Sequence, residues 1–394
     1  MTRELDRFGY DRVDYFQLPI FRNPGPTTTT HKAKMKPSIL ERSPQQVVAW
    51  LADRNQPKFR AAQIRKWLFE GRARTFENMT DLPKSLRADL EKEFSIWTLQ
   101  IVRHLKSEDG TEKLLLQTHD GGRIECVLLR EAARRTICIS TQVGCAMGCV
   151  FCASGLDGVD RNLTTSEIVE QMLMLQRLLP ADERLSHIVV MGMGEPLANL
   201  DRLLPALNIA SDEDGLGISA RRITISTVGL PPAINRLSVE NSRYHLAVSL
   251  HAPNDQLRNE LVPVNKNIGV QSILDAADRY FETSGRRLTY EYVLLADIND
   301  QPDHARQLAK LLAGRTALLN VIPYNPVAGL NYQTPSPLAI REFRTILADA
   351  GINLKFRQRK GEDINAACGQ LRRNTPNVVD IAPLEDSPAR QPEG

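Results

Sequence analysis

Three of the six cysteines lie within eight residues, as Cys145, Cys149 and Cys152 of the segment STQVGCAMGCVFCASG. Thiols clustered in this way indicate metal ligation or redox chemistry before a structural disulfide in a reducing compartment. A structural zinc site needs four ligands, and the nearest histidines, His119 and His187, lie outside the loop. A [4Fe–4S] cluster held by three cysteines keeps one iron open, as a catalytic cluster requires. Packing alone requires neither this spacing nor the neighbouring glycines.

Alternating strands and helices must position this loop. Six short apolar segments are predicted as strands: RTICIS, SHIVVMG, RITIST, YHLAVSL, RLTYEYVLL and ALLNVIPY. Helical segments separate them, such as TTSEIVEQMLMLQRLL with a capping box from Thr164 to Glu167. Repeated βα units predict a parallel sheet with right-handed crossovers, and six units are too few for a closed eightfold barrel. We expect an α/β fold, either a partial barrel or a doubly wound sheet, with its site at the carboxyl ends of the strands.

The chain divides into regions of different composition. The segments LQIVRHL, EKLLLQT and RIECVLLR alternate like antiparallel strands, with hairpin turns at Asp109-Gly110 and Asp120-Gly121. Residues 42–98 carry 11 Lys and Arg against seven Asp and Glu, which a solvated helix face explains as well as a nucleic-acid surface does. The predicted regions are a disordered leader (1–36), a basic helical accessory domain (37–98), a core with an N-terminal β-hairpin extension and a C-terminal Cys368 loop (99–373), and a mobile tail (374–394).

Composition narrows the class of protein. The chain has 394 residues, 42% hydrophobic and 25% charged, with a net charge of +3, which is ordinary for a globular enzyme and no evidence for a nucleic-acid partner. No apolar run approaches the roughly 20 residues of a membrane span, and the N-terminal segment MTRELDRFGYDRVDYFQLP lacks the apolar core of a secretory signal. We expect a monomeric cytoplasmic enzyme that does not enter a membrane.

The cysteine motif, with Phe151 before its last cysteine, resembles that of the radical S-adenosylmethionine (SAM) superfamily. The resemblance implies a [4Fe–4S] cluster held by Cys145, Cys149 and Cys152, with SAM bound to the fourth iron. The segment MGMGEP after the second strand resembles the superfamily motif that contacts SAM. The SAM contacts implied by the resemblance all fall at strand ends: Gly194, Glu195, Ser226, Ser249, Leu250, His251 and Asn325.

A narrower resemblance covers roughly residues 40–373. The segments TQVGC, GMGEPLANLD, STVGLPPAI, SLHAPND, IPYNP and RKGEDINAACGQL occur in this order and resemble those of the RlmN/Cfr family, which methylates an adenine ring of RNA. Ordinary radical SAM enzymes lack the cysteine of the last segment, Cys368. The family implies a partial (βα)6 TIM-like radical SAM barrel with a small N-terminal helical accessory domain that binds RNA.

The same resemblance implies roles for three further residues. Cys368 takes a methyl group from one SAM as S-methylcysteine, and a second SAM, cleaved at the cluster, activates that methyl for addition to adenine. Cys138 resolves the resulting protein–RNA link through a transient disulfide with Cys368. Glu125 accepts the ring proton. Cys126 has no matching role, and strand alternation places it opposite Glu125 as a packed core residue.

Several functions remain open on the sequence. We expect methylation of adenosine carbon 2 in the peptidyl transferase centre of 23S rRNA and in tRNA, 3′ of the anticodon, with a reductant such as flavodoxin. A Cfr-like carbon-8 methyltransferase shares these motifs, and a zinc-stabilised RNA-binding protein without catalysis is the alternative of another class. Residues 355–373 carry six Lys and Arg against two acids, and with residues 42–98 they could bracket a cleft for RNA phosphates.

Overall fold

The structure is a computed structural model, and it describes residues 36–241, 243–357, 360–361 and 363–371. The predicted tail at 374–394 and all of the predicted leader except Lys36 lie outside the described residues. No helix among the described residues has the length and apolar character needed to cross a bilayer.

In the described part of the chain, ten strands form one open sheet, and two short strands form a separate ribbon. The first three strands are antiparallel. β1 pairs with β2, β2 with β3, and β3 with β4, the first of the parallel strands. Seven parallel strands follow in the order β4, β7, β8, β9, β10, β11, β12. The bounds are β1 (Gln100–Lys106), β2 (Glu112–Gln117), β3 (Arg123–Glu131), β4 (Arg134–Cys138), β5 (Gln142–Gly144), β6 (Val159–Asn162), β7 (His187–Val190), β8 (Ile223–Thr227), β9 (His245–Ser249), β10 (Leu288–Leu294), β11 (Leu318–Pro323) and β12 (Leu354–Phe356).

Helices connect the parallel strands in six βα units, which confirms the predicted α/β partial barrel. Thr164 accepts a hydrogen bond from the Glu167 N–H and the Glu167 carboxylate accepts one from the Thr164 N–H, which confirms the capping box. The helices are α1 (Pro44–Ala52), α2 (Arg60–Phe69), α3 (Lys84–Glu93), α4 (Thr165–Gln176), α5 (Leu200–Ser211), α6 (Pro231–Glu240), α7 (Asp255–Leu261), α8 (Val270–Ser284), α9 (Pro302–Leu312) and α10 (Pro337–Asp349).

A buried carboxylate joins the segment after α3 to the barrel. Glu170 of α4 accepts hydrogen bonds from the backbone N–H groups of Thr98 (2.7 Å) and Leu99 (2.8 Å) and from the Thr98 hydroxyl (2.8 Å). The Gln176 side chain, at the end of α4, donates to the carbonyl of Phe69 in α2 (3.1 Å). The N-terminal helical region therefore packs against the barrel at helix α4.

The β5–β6 ribbon, whose strands precede and follow the cysteine loop, was not predicted from the sequence. A Cβ at Gly144 would lie 2.1 Å from the Gly158 carbonyl oxygen, and Gly144 has a φ of +80°. The two strands approach so closely only because this position has no side chain. Cys145 then donates its N–H to the same carbonyl at 2.8 Å, which fixes the first cysteine at the end of the ribbon.

Candidate active site at the carboxyl ends of the strands

A cavity of about 940 Å³, including its opening to solvent, lies at the carboxyl ends of the parallel strands. It brings together segments that are distant in the sequence, from Cys145 to Gly369. Leu250 is fully buried and does not line the cavity. The predicted site residues that do line it are Cys145, Cys149, Cys152, Gly194, Glu195, Ser226, Ser249, His251, Asn325 and Cys368.

The three cysteines of the loop face this cavity together. Burial raises the pKa of all three thiols, that of Cys149 to about 12. A bound cation compensates the cost of burying thiolates, so an iron–sulfur cluster suits this donor set. Among the described residues, no three His, Cys, Asp or Glu side chains already surround one point as a closed metal site would.

The loop after β7 carries Glu195, whose carboxylate is fixed in a position where it could bind a cationic group. Glu195 is buried, and its two carboxylate oxygens accept the N–H groups of Leu197 (3.0 Å) and Val228 (2.9 Å). Burial raises the pKa of Glu195 to about 6. Across the cavity, Asn325 donates its amide to the Cys368 carbonyl (3.1 Å), while its Oδ1 is buried and has no hydrogen-bond partner in the described part of the chain. An amino or hydroxyl donor, such as SAM carries, would satisfy that oxygen.

We expect Gly194→Ala to weaken SAM binding at least tenfold, because a Cβ there would lie 2.6 Å from the Gln142 side chain. Gln142 accepts the Glu195 N–H at 2.8 Å, so its displacement moves the carboxylate. Gly217→Ala is the control, because Gly217 also has a positive φ of +63° but a Cβ there meets no atom within 4 Å. Equilibrium dialysis of SAM measures the difference, and equal affinities in the two variants would contradict the expectation.

His251 is a neutral histidine at the floor of the site. Its Nδ1 accepts the Val293 N–H (3.1 Å), and its ring packs edge-on against Phe151, with 4.9 Å between centroids. Burial, and then the charge of Arg258, lower the pKa of His251 to about 3. At mildly acidic pH, His251 is therefore protonated in the unfolded chain and neutral in the folded chain.

Stability should consequently fall as the pH falls below the ordinary histidine pKa of 6.5. At pH 5.5 this loss amounts to about 1.4 kcal/mol relative to pH 7.5. The His251→Gln variant has no imidazole to titrate, so its free energy of unfolding lacks this pH dependence. The difference between the free energies of unfolding of wild type and variant should therefore change by about 1.4 kcal/mol between pH 7.5 and pH 5.5. Denaturant titrations at both pH values measure it, and parallel pH dependences would refute the assignment.

A second cavity, of about 570 Å³, lies on the other side of Cys368. Cys138 lines this second cavity, and burial, followed by the proximity of Cys368, raises the pKa of the Cys138 thiol to about 12. The two cavities share five lining residues, so Cys368 faces the three cysteines on one side and Cys138 on the other: Met191, Ile322, Asn325, Arg357 and Cys368.

Glu125 lines neither cavity in this structure. It lies on β3 two residues before Val127, which does line the second cavity, so the two share one face of the strand. Its carboxylate is buried and forms an ion pair with Lys113 (Nζ to Oε1, 2.9 Å). Cys126 points to the opposite face and is fully buried, which confirms it as a core residue.

Three basic residues of the site were missed by the sequence analysis. Lys113 pairs with Glu125, Arg357 lines both cavities, and Arg258 is fully buried beneath the ends of β8 and β9. The sequence contains no signal for them, because a lone basic residue in a strand, in a short helix or just after a strand is ordinarily exposed.

The chain matches two family models. One describes the Radical SAM superfamily and matches residues 139–309, and the other describes a ribosomal RNA large subunit methyltransferase N-terminal domain and matches residues 38–96.

Curated relatives match almost over their whole length. One from Rhodopirellula baltica, named a probable dual-specificity RNA methyltransferase RlmN, is 64% identical over 91% of this chain and 98% of the relative. A relative of the same name from Carboxydothermus hydrogenoformans is 43% identical over 85% of this chain and 98% of the relative. The crystal structure of a radical SAM methyltransferase from Sphaerobacter thermophilus is 43% identical, with a TM-score of 0.83 over 86% of this chain and 100% of that one.

These matches agree with the cavity lined by three cysteines and with the further cysteine that faces it. The chain belongs to the RlmN family of radical SAM RNA methyltransferases, whose enzymes use a [4Fe–4S] cluster and SAM.

Proposed function

We propose that this enzyme methylates carbon 2 of adenosine in 23S rRNA, at the peptidyl transferase centre, and in tRNA, 3′ of the anticodon, with Cys368 as the methyl carrier. The observation that carries the proposal is the position of Cys368 between the two cavities, with the cysteines Cys145, Cys149 and Cys152 on one side and Cys138 on the other. A relative's name, dual-specificity RNA methyltransferase, supports two classes of RNA substrate.

Cys145, Cys149 and Cys152 would hold the cluster, and the carboxylate of Glu195 and the Oδ1 of Asn325 would receive polar groups of SAM. When bound, the cluster and SAM supply an electrophilic methyl group and one-electron chemistry. Ser226, Ser249 and His251 line the same cavity, and Leu250 supports it from the core.

The cysteine pair provides the transfer itself. The Cys368 sulfur accepts the methyl group. The one-electron chemistry of the bound cofactors would remove one hydrogen atom from that group, so that its carbon bonds to the adenine ring, and would then take up one electron from the adduct. Glu125 takes the proton of the ring carbon, which restores aromaticity. The Cys138 thiolate then attacks the Cys368 sulfur, so an S–S bond forms while the bond from that sulfur to the carbon breaks. The electron pair of the broken bond stays with the carbon, which takes up a proton and becomes the methyl group of the product. Each turnover leaves a disulfide that a cellular reductant must reopen.

RNA binding in this proposal rests on the basic regions at both ends of the described chain. The N-terminal helical region, with α1, α2 and α3, would contact phosphates as an accessory domain, together with the segment that follows β12. Such contacts do not read sequence, so target choice depends on RNA shape and on an accessible base.

Nucleoside analysis of RNA methylated by the reconstituted enzyme tests the proposal. We expect 2-methyladenosine in both a 23S rRNA fragment and a tRNA, and none with the Cys368→Ala variant. Detection of 8-methyladenosine would show that the enzyme methylates carbon 8 and not carbon 2. A colourless protein that binds zinc without iron would contradict a catalytic function altogether.

A further inference from the structure

Lys113 is a buried lysine with two defined partners. Its side chain is 4% exposed, and Nζ lies 2.9 Å from the Glu125 carboxylate, whose side chain is 2% exposed. The same Nζ donates to the Asn365 carbonyl at 2.9 Å, three residues before Cys368. Lysine is almost never buried unless it is paired, so one ammonium group here connects the predicted proton acceptor to the loop of the predicted methyl carrier.

Strand register places Lys113 in a row with the resolving cysteine. Lys113 pairs with Val127 on β3, Val127 pairs with Cys138 on β4, and Cys138 pairs with Val189 on β7. Paired residues share one face of a sheet, and neighbouring strands are about 4.8 Å apart, so Lys113 and Cys138 lie about 10 Å apart on the face that the Cys368 loop covers.

The Cys368 loop (residues 360–361 and 363–371) has other attachments on the side of the antiparallel strands, and they lie at its start. Gly361 donates its N–H to Asp109 (3.1 Å), and Asp363 accepts the N–H of Glu108 (3.3 Å). Both contacts involve the turn after β1. The bond to Lys113 is nearer to Cys368, and it joins the loop to a charged group in the interior of the sheet.

The backbone at Asn365 supports this contact. Asn365 has a φ of +51°, in the left-handed region, which asparagine tolerates better than most residues do. Ala366 donates its N–H to the Gly361 carbonyl at 2.8 Å, while the Asn365 carbonyl accepts from Lys113. The contacts on both sides of Asn365 hold its backbone in this conformation.

We infer that Lys113 is a positioning residue, which holds the Glu125 carboxylate and the Cys368 loop in one arrangement beside Cys138. This inference rests on the proposed function, because it assigns Lys113 a part in the same reaction. A buried ion pair contributes little to stability compared with an apolar replacement, whereas removing one partner leaves an uncompensated charge. The Lys113 charge therefore ties the two functional groups to a common position.

Hydrogen exchange of the loop, measured on the reconstituted enzyme without RNA, tests the tether. Lys113→Met should speed exchange of the Ala366 and Ala367 amides about tenfold, because the loop loses a charge-assisted hydrogen bond. Glu125→Gln should change it less than about threefold, since Lys113 still reaches Asn365. The double variant Lys113→Met with Glu125→Met removes both charges of this pair, so neither is left buried without the other, and it should show the same fast exchange.

Recovery of activity by a conservative variant distinguishes a positioning role of Lys113 from a contribution to stability alone. Lys113→Met should reduce RNA methylation about 100-fold, and Lys113→Arg, which keeps a buried donor and charge, should recover it to within about threefold of the wild type. Unchanged loop exchange in Lys113→Met, or failure of Lys113→Arg to recover activity while its loop exchange is normal, would overturn the inference. A wild-type enzyme that forms no methyladenosine would refute the proposed function. The hydrogen-exchange result would still test separately whether Lys113 holds the Cys368 loop in place.

Discussion

Cys138→Ala is expected to leave the enzyme covalently joined to its RNA, whereas Cys368→Ala is expected to abolish both the link and methylation. The two sulfurs border the same 570 Å³ cavity, so Cys138 is placed to attack Cys368 once the methyl carbon has joined the ring. Without that attack the bond from Cys368 to the RNA persists. Turnover should fall at least about 1,000-fold in either variant.

A denaturing gel detects the RNA–protein adduct, and mass spectrometry of the digest locates it at Cys368. Cys126→Ala is the matched control, because Cys126 is equally a thiol but is fully buried on the opposite face of β3. It should form no adduct and should retain methylation to within about threefold. Absence of an adduct in Cys138→Ala, with methylation lost as silently as in Cys368→Ala, would contradict the resolving role.

Arg258→Met is expected to destabilise the fold by about 3–5 kcal/mol and to prevent stable loading of the cluster. The Arg258 guanidinium is fully buried and donates to the carbonyls of Leu250 (2.9 Å), Ser249 (3.0 Å) and Val228, and to the Asn265 side chain (2.5 Å). These carbonyls terminate β8 and β9, where parallel strands leave them unpaired. Methionine fills the space but leaves the acceptors without donors.

The effect should reach the cysteine loop through α7. Arg258 lies on this helix, and Leu261 at its end accepts the Val150 N–H at 3.1 Å. Arg236→Met is the control, because Arg236 is 42% exposed and its ion pairs to Asp201 and Glu240 are worth at most about 1 kcal/mol. Urea unfolding and iron content per chain measure both variants, and equal unfolding midpoints would refute the structural role of Arg258.

Local sequence patterns were sufficient to predict an α/β fold with a parallel sheet, and the family resemblance specified the partial barrel. The apolar strands and the capping box at Thr164 depend on residues a few positions apart, and the structure confirms six βα units. The cysteine spacing and the segments after each strand likewise predicted loops that line the cavity at the carboxyl ends of the strands. Because parallel strands bring their carboxyl ends to one edge, the order of motifs along the chain was enough to gather them there.

Contacts across long stretches of chain could not be predicted in this way. The alternation of β2 places Lys113 on one face, but nothing local shows that this face is covered by Asn365, 252 residues later. The β5–β6 ribbon depends on the approach of Gly144 to the Gly158 carbonyl, which no hydrophobic period reveals. Glu125 was predicted by resemblance, and its pairing with Lys113 became visible only in three dimensions.

Two hydrogen bonds fasten the Cys368 loop to the cysteine loop, from the Ala153 N–H to the Gly369 carbonyl (2.8 Å) and from the Ser154 hydroxyl to the Leu371 carbonyl (2.6 Å). The second spans 217 residues, and such distant closures form late because of their entropic cost. We therefore expect an order of maturation in which the barrel forms first and iron and sulfide enter through the uncovered mouth. The described end of the chain, from Gly369 to Leu371, then packs against the cysteine loop as a late step.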